Sequence, residues 1–304
     1  MRTRTGLLVP LAAVLLLLGA CSDQTPVADD GPTRGADRGD QTPSEGVDSE
    51  APSETPTEDE GGEAERTVAV YYVGDTERAG PRLYREFQRG EGEALAAGVA
   101  ALTGTPLDGD YRTMWQSGQI TDASYDGEII NVVVDSAVRQ RPGGMSAAEA
   151  RAAVEQVVYT TQAAVQERAP VQFRTADNPI DQVFGVPTSE PLANGQMLDV
   201  LSHMSLTTPE QGAVVTGDTL RASGVGNGFE ATVAWRILRR DEIIDEGAGI
   251  MDGWMEPKLF PWELEIDVSD LAAGAYTFWV STDDPTGGTE GIGAMTDDKD
   301  FTVR

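Results

Sequence analysis

The chain of 304 residues holds one cysteine and one histidine. That excludes a disulfide framework, a multi-cysteine zinc site and most histidine-based metal or acid–base constellations. Positive charge is also scarce: 22 Lys and Arg stand against 51 Asp and Glu, a formal net charge of −29. A nucleic-acid partner needs a basic footprint, so none is expected. Aromatic residues make up 6%, and every Trp, Phe and Tyr lies beyond residue 66, so any sizeable core is built there. No Gly-x-Ser-x-Gly elbow, Walker loop, HExxH helix or EF-hand loop occurs, and with them go the usual signatures of hydrolases, nucleotide enzymes and metal sites. At about 100 to 200 residues per domain, the chain has room for one or two folded domains.

What is present begins with an address. Arg2 and Arg4 precede an apolar run from Leu7 through Leu18, then Gly19 and Ala20. The run is roughly 12 to 15 residues, short for a helix crossing a bilayer core of about 30 Å, so residues 1–20 read as a secretory signal peptide. Leu18-Gly19-Ala20-Cys21 then resembles the bacterial lipobox, which implies diacylglycerol attached to the thiol of Cys21 and cleavage ahead of it. The acyl chains, at about 0.8 kcal/mol per buried CH₂, would hold the mature protein on the membrane, placing it on the extracytoplasmic face with Cys21 as its lipidation site.

Residues 21–66 are expected to be a lipidated N-terminus followed by a disordered acidic linker. Between 22 and 65, fourteen acidic residues oppose Arg34 and Arg38, a net −12, and prolines stand at 26, 32, 43, 52 and 56. With Val27 and Val47 as the only branched aliphatics, nothing offsets the entropy of ordering. A flexible chain of this length spans on the order of 40 Å, and more when its charges repel.

From Thr67 the pattern changes. Residues 67–73 form a β-branched and aromatic run, and Leu83, Arg85 and Phe87 suggest a second strand. Glu93 to Leu102 has helical apolar spacing and stops at Gly104 before Pro106. Two strands, 120–124 and 129–134, flank the Asp126-Gly127 turn signal. Ser146 and Glu149 form a capping box ahead of a stripe of Ala150, Val154, Val157, Val158, Thr161 and Val165, and Val171 to Arg174 returns as a strand. The order predicts an α+β domain over 67–195, with helices covering one face of a largely antiparallel sheet.

These residues resemble the GerMN domain found in envelope proteins of Gram-positive bacteria. The resemblance rests on Val68-Ala69-Val70-Tyr71-Tyr72, Arg82-Leu83-Tyr84-Arg85, the Glu93 to Gly104 helix and turn, Asp126-Gly127 with Ile129 to Val134, and Val157-Val158-Tyr159-Thr160. This chain departs from the family pattern at Gly104-Thr105-Pro106, which carries an insert.

Beyond Met197 helical patterns give way to short strands at 205–207, 219–225, 231–238, 264–268, 276–280 and 300–303. In one of them Val233, Trp235 and Ile237 share the expected core face. The expectation for 196–304 is an all-β immunoglobulin-like sandwich. Pro209, Gln211 to Val215, Gly217 to Gly224, the Trp235 strand and Glu246-Gly247 resemble the Gmad-type immunoglobulin-like domain of bacterial spore germination proteins. The joint is expected near 186–203, where Met197, Leu198, Val200 and Leu201 supply an apolar stretch. The two resemblances imply extracytoplasmic binding or scaffolding and bring no catalytic residues, cofactor or metal with them.

Candidate sites are few. His203 stands alone and reads as a surface residue at the domain boundary. Asp283, Asp284, Glu290, Asp297, Asp298 and Asp300 offer oxygen ligands for Ca²⁺, but their spacing fits solvated turns better. Trp254, Trp262 and Trp279 offer a glycan platform or, more simply, core residues, with Trp254 the best exposed candidate. Two functions follow. The first is a non-enzymatic membrane-anchored envelope lipoprotein that binds an envelope protein or wall polymer, in a germination- or wall-associated assembly. The alternative is an extracytoplasmic glycan hydrolase with two carboxylates about 5 to 9.5 Å apart.

Overall fold

The computed structural model describes residues 65–304 apart from residue 288; the signal peptide, Cys21 and the acidic linker to residue 64 lie outside the described residues. Those described belong to one compact unit. The first strands, β1 (Arg66–Thr76) and β2 (Gly80–Gly90), form a long antiparallel hairpin with Tyr72 opposite Tyr84. β1 is longer than its apolar run predicts, because Gly74 and Asp75 continue the ladder up to the turn.

Helix α1 (Ala94–Leu102) and helix α2 (Ala147–Val165) pack on this hairpin and on each other. The capping box is present: the Ser146 hydroxyl accepts the Glu149 N–H at 3.1 Å and the Glu149 carboxylate accepts the Ser146 N–H at 2.8 Å. α2 is buried more fully than one stripe requires. Gln156 and Thr160 join the apolar positions at 0% exposure, each with a partner: Gln156 accepts the Met114 N–H at 3.1 Å and Thr160 accepts the Tyr71 N–H at 3.0 Å. Strands β3 (Ile120–Tyr125) and β4 (Ile130–Val134) flank the expected turn, where Asp126 accepts the N–H groups of Glu128 and Ile129. β5 (Val171–Arg174) joins β4 in parallel. The α+β module therefore has three separate sheets where one largely antiparallel sheet is expected, the third being the short pair β6 (Gln182–Val183) and β7 (Val186–Pro187).

A short helix, α3 (Met197–Val200), leads into the second module. There β8 (Met204–Thr208), β9 (Ala213–Val215), β10 (Thr219–Gly226), β11 (Thr232–Arg239), β12 (Glu242–Ile250), β13 (Phe260–Asp267), β14 (Gly274–Thr282) and β15 (Thr296–Val303) form two sheets, ordered β13-β10-β8 and β12-β11-β14-β15-β9. This is an immunoglobulin-like sandwich. Val233, Ile237, Tyr276, Phe278, Val280, Phe301 and Val303 from the larger sheet meet Leu206, Leu220, Ala222, Trp262 and Ile266 from the smaller. Separate apolar clusters fill the two modules, and a third, with Val73, Leu83, Tyr159 and Leu201, lies where α3 and its flanks meet the hairpin.

Gly224 marks where β10 lies closest to its neighbours. A Cβ there would sit 2.2 Å from the Ser205 carbonyl oxygen and 2.6 Å from the Trp262 ring. Gly224→Ala should therefore cost about 2 kcal/mol through overpacking, a melting shift of roughly 6 °C. Gly217→Ala, where a Cβ meets nothing within 4 Å, should stay within about 0.5 kcal/mol. Equal melting temperatures for the two variants would contradict this packing.

Candidate functional site

The segment after α1, which begins with the Gly104-Thr105-Pro106 insert, is fastened to β2 by a carboxylate. Glu86, only 7% exposed, accepts the N–H groups of Leu107 at 3.0 Å and Asp108 at 2.9 Å, and also the Gln88 side-chain amide at 2.7 Å. Asp108 accepts the Asp110 N–H at 2.9 Å on Oδ1. Its Oδ2 is left to the ammonium of Lys299, which arrives from β15 of the other module. Both side chains are buried, 5% and 4% exposed for Lys299 and Asp108.

Lys299 also donates to the Tyr111 hydroxyl at 2.7 Å and lies 3.5 Å from Asp297 Oδ1. Tyr111 in turn donates to Asp297 Oδ1 at 2.5 Å, and Asp297 Oδ2 accepts the Leu206 N–H at 2.6 Å. Close by, Tyr84 donates to the Thr296 carbonyl at 3.2 Å and stacks on Tyr111 with centroids 5.0 Å apart. Burial disfavours the charge on Lys299, yet the carboxylates of Asp297 and Asp108 overcome it and raise its pKa. Burial pushes Asp297 up to about 6 against the opposing pull of Lys299, and it holds the Tyr111 phenol well above its ordinary value.

Beside this cluster is a recess of about 270 Å³ lined by Gly74, Asp75, Tyr84, Asp110, Asp297 and Asp298 among others. Asp298 is half-buried, and burial, followed by the charges of Asp110, Asp297 and Asp108, pushes it up to about 7. Asp75 is held by the Arg112 guanidinium at 2.8 and 2.9 Å, and both oxygens of Asp297 accept hydrogen bonds.

The structure disperses the acidic stretch read as a possible cation loop. Asp297 and Asp298 belong to the junction, Asp284 accepts the Thr286 N–H and hydroxyl, and Asp300 accepts the Thr277 hydroxyl at 2.7 Å. Among the described residues, no group of His, Cys, Asp and Glu is arranged to hold a metal ion. The tryptophans separate likewise. Trp262 is core, 1% exposed. Trp279 lies on the outer face of β14, opposite Arg236 in register and 4.9 Å from its guanidinium, so its expected place in the core is corrected by strand alternation. Trp254 is 38% exposed and meets Phe229 edge to face at 5.5 Å. His203 is a half-buried joint residue, not a surface one: its Nε2 lies 2.8 Å from the Leu198 carbonyl and burial lowers its pKa.

Residues 69–181 match the family model described as sporulation and spore germination. Residues 203–289 match the one described as immunoglobulin-like domain of bacterial spore germination. The chain joins these two spore-germination domain types in one body. Neither description names a reaction. A solved structure recorded as "Putative Lipoprotein from Clostridium perfringens" is similar at 14% identity and a TM-score of 0.29, covering 42% of this chain and 87% of that one. No curated protein matches the chain.

Two predictions follow from the junction between these domains. Lys299→Met leaves Asp108 and Asp297 buried without their cation, which typically costs about 3 to 5 kcal/mol. Its melting temperature should fall by roughly 10 °C, and adding Asp108→Asn should recover part of the loss; a surface-like change under 0.5 kcal/mol would contradict the burial of the pair. For Asp298 the folded pKa lies above the ordinary 3.8, so the folded state binds the proton more tightly. The contribution of Asp298 to stability is then fully present below about pH 4 and is lost as pH rises through 7. Asp298→Asn removes that decline, so its melting temperature relative to wild type should climb between pH 4 and pH 8. Parallel curves would show that Asp298 titrates normally.

Proposed function

We propose that this chain is a non-enzymatic, lipid-anchored envelope protein whose two modules act together as one rigid binding or scaffolding body in a germination- or wall-associated assembly. The observation that carries the reading is the buried Asp108–Lys299 pair between two germination-type domains. A charge pair buried across a joint permits few alternative angles, because any other angle leaves a charge desolvated and unpaired. A body with a fixed angle presents its outer surfaces to a partner without a hinge to order first. The address supports the same reading: Leu18 to Cys21 supplies a lipid acceptor, and the acidic linker gives the reach to hold the body away from the bilayer. Its partner is then an envelope protein or a wall polymer.

The alternative, carboxylate-dependent glycan cleavage, would pair Asp298 with Asp110, which lines the same recess; Asp75 and Asp297 are both engaged by hydrogen bonds.

The test has two arms. Cys21→Ser should release the protein from membranes or leave its precursor uncleaved, read by fractionation and by mass spectrometry of the mature N-terminus; an unmodified Cys21 in the wild type would refute the anchor. Photo-crosslinking in intact cells from positions on both modules should capture the same partner, whereas turnover of wall glycan by the purified protein, abolished by Asp298→Asn, would replace the binding reading with the enzymatic one.

A further inference from the structure

Two arginines in this acidic protein line one cleft without an acid to pair with. Arg85, on β2, donates to the Thr207 hydroxyl at 3.1 Å and stacks 4.9 Å from the Phe87 ring, while its Nε is buried with no hydrogen-bond partner. Arg168, exposed just beyond α2, donates to Gln162 at 3.3 Å and lies 5.4 Å from the Tyr159 ring. Among the described residues neither arginine is within ion-pair distance of a carboxylate.

The cleft is small, with a volume of about 160 Å³. Apart from the arginines and the buried Ser202 and Ser205, its lining is apolar: Tyr71, Leu83, Met197, Leu201, Val225 and Leu259. Tyr71 and Arg168 also line a second recess of about 230 Å³ that reaches Gln162 and Gln166. The acid lining that recess, Glu167, accepts the Tyr125 hydroxyl at 2.6 Å.

The partly buried Arg85 guanidinium, whose Nε lacks a partner, gains from a bidentate anion, to which the exposed Arg168 adds a second positive charge, and the apolar lining gains from hydrocarbon. A polyanion would be repelled by the protein's net charge, whereas one anionic group on an apolar body satisfies both halves of the cleft. We infer that this cleft is a binding site for an amphiphilic anion, with a phosphate or carboxylate headgroup at Arg85 and Arg168 and a hydrocarbon chain against the half-buried Met197, Val225 and Leu259. The inference is independent of the partner and the anchor proposed above.

The test is calorimetric titration of the full-length mature protein with dodecyl phosphate and with laurate, each below its micelle concentration. Inorganic phosphate serves as the headgroup alone and dodecyltrimethylammonium as the cationic counterpart. At least one anionic amphiphile should bind ten times more tightly than either control, and the tighter of the two identifies the headgroup; equal binding of both supports the shared chemistry. Arg168→Gln, at an exposed position, should retain the wild-type melting temperature and weaken binding about tenfold, and Arg85→Gln should do likewise if it folds. Binding of the cation as tight as that of the anions, no binding by either anion, or an Arg168→Gln variant with unchanged affinity would each overturn the inference.

Discussion

Lys299 is the group on which the arrangement of this protein turns. An ammonium removed from water is costly unless its surroundings return what the solvent supplied. Here the return comes from both modules: Asp108 and Tyr111 from the first, Asp297 from its own strand. The residues that supply it are themselves fastened, Asp108 through Glu86 on β2 and Asp297 through the Leu206 N–H of β8. Moving one module relative to the other would break the Lys299 bonds to Asp108 and Tyr111 and the Tyr111–Asp297 bond together, leaving buried polar groups unsatisfied.

The same constraint reaches into the sandwich through β15. Its burial alternates, so Asp297, Lys299, Phe301 and Val303 share one face. The first pair meets the neighbouring module and the second pair enters the apolar core. A one-residue slip would turn all four outward, expelling a charge from its partners and two apolar side chains from the core at once. Register, core and joint are therefore specified by one strand, and its parallel pairing with β9 and antiparallel pairing with β14 hold it from both sides.

Much of the fold is legible in the sequence because its signals are local. The capping box at Ser146, the turn at Asp126-Gly127 and the alternation around Trp235 each depend on residues a few positions apart. What is not legible depends on distance or on neighbours. Asp108 and Lys299 are separated by 191 positions, so Asp297 and its neighbours read as solvated turns when they stand alone. β12 escapes notice because Glu242, Asp245, Glu246 and two glycines look like a loop, yet it needs no core face: nearly all of it is exposed, and it is held as an edge strand by its ladder to β11. Trp279 reads as core by size alone, whereas Arg236 opposite it on β11 makes the outer face sufficient shelter. Gly104-Thr105-Pro106 opens the segment that delivers Asp108, a purpose visible only once β15 is in place.

The joint also explains why a cleft exists to be filled. β2 supplies Leu83 and Arg85 to its wall, β8 supplies Ser205, and the connecting segment supplies Met197, Leu201 and Ser202. β2 holds Asp108 through Glu86, β8 holds Asp297 through Leu206, and the Ser202 N–H donates to the Leu83 carbonyl at 2.9 Å, tying the connection to the hairpin. A cleft between two hinged modules would collapse its apolar lining in the absence of a ligand, since burying that surface is favourable. Here collapse is opposed by a buried ionic cluster that tolerates one geometry, so the lining stays open and the arginines stay apart from the acids that dominate the chain. The cost of burying Lys299 is thus the reason a preformed cationic cleft can persist in a protein of charge −29.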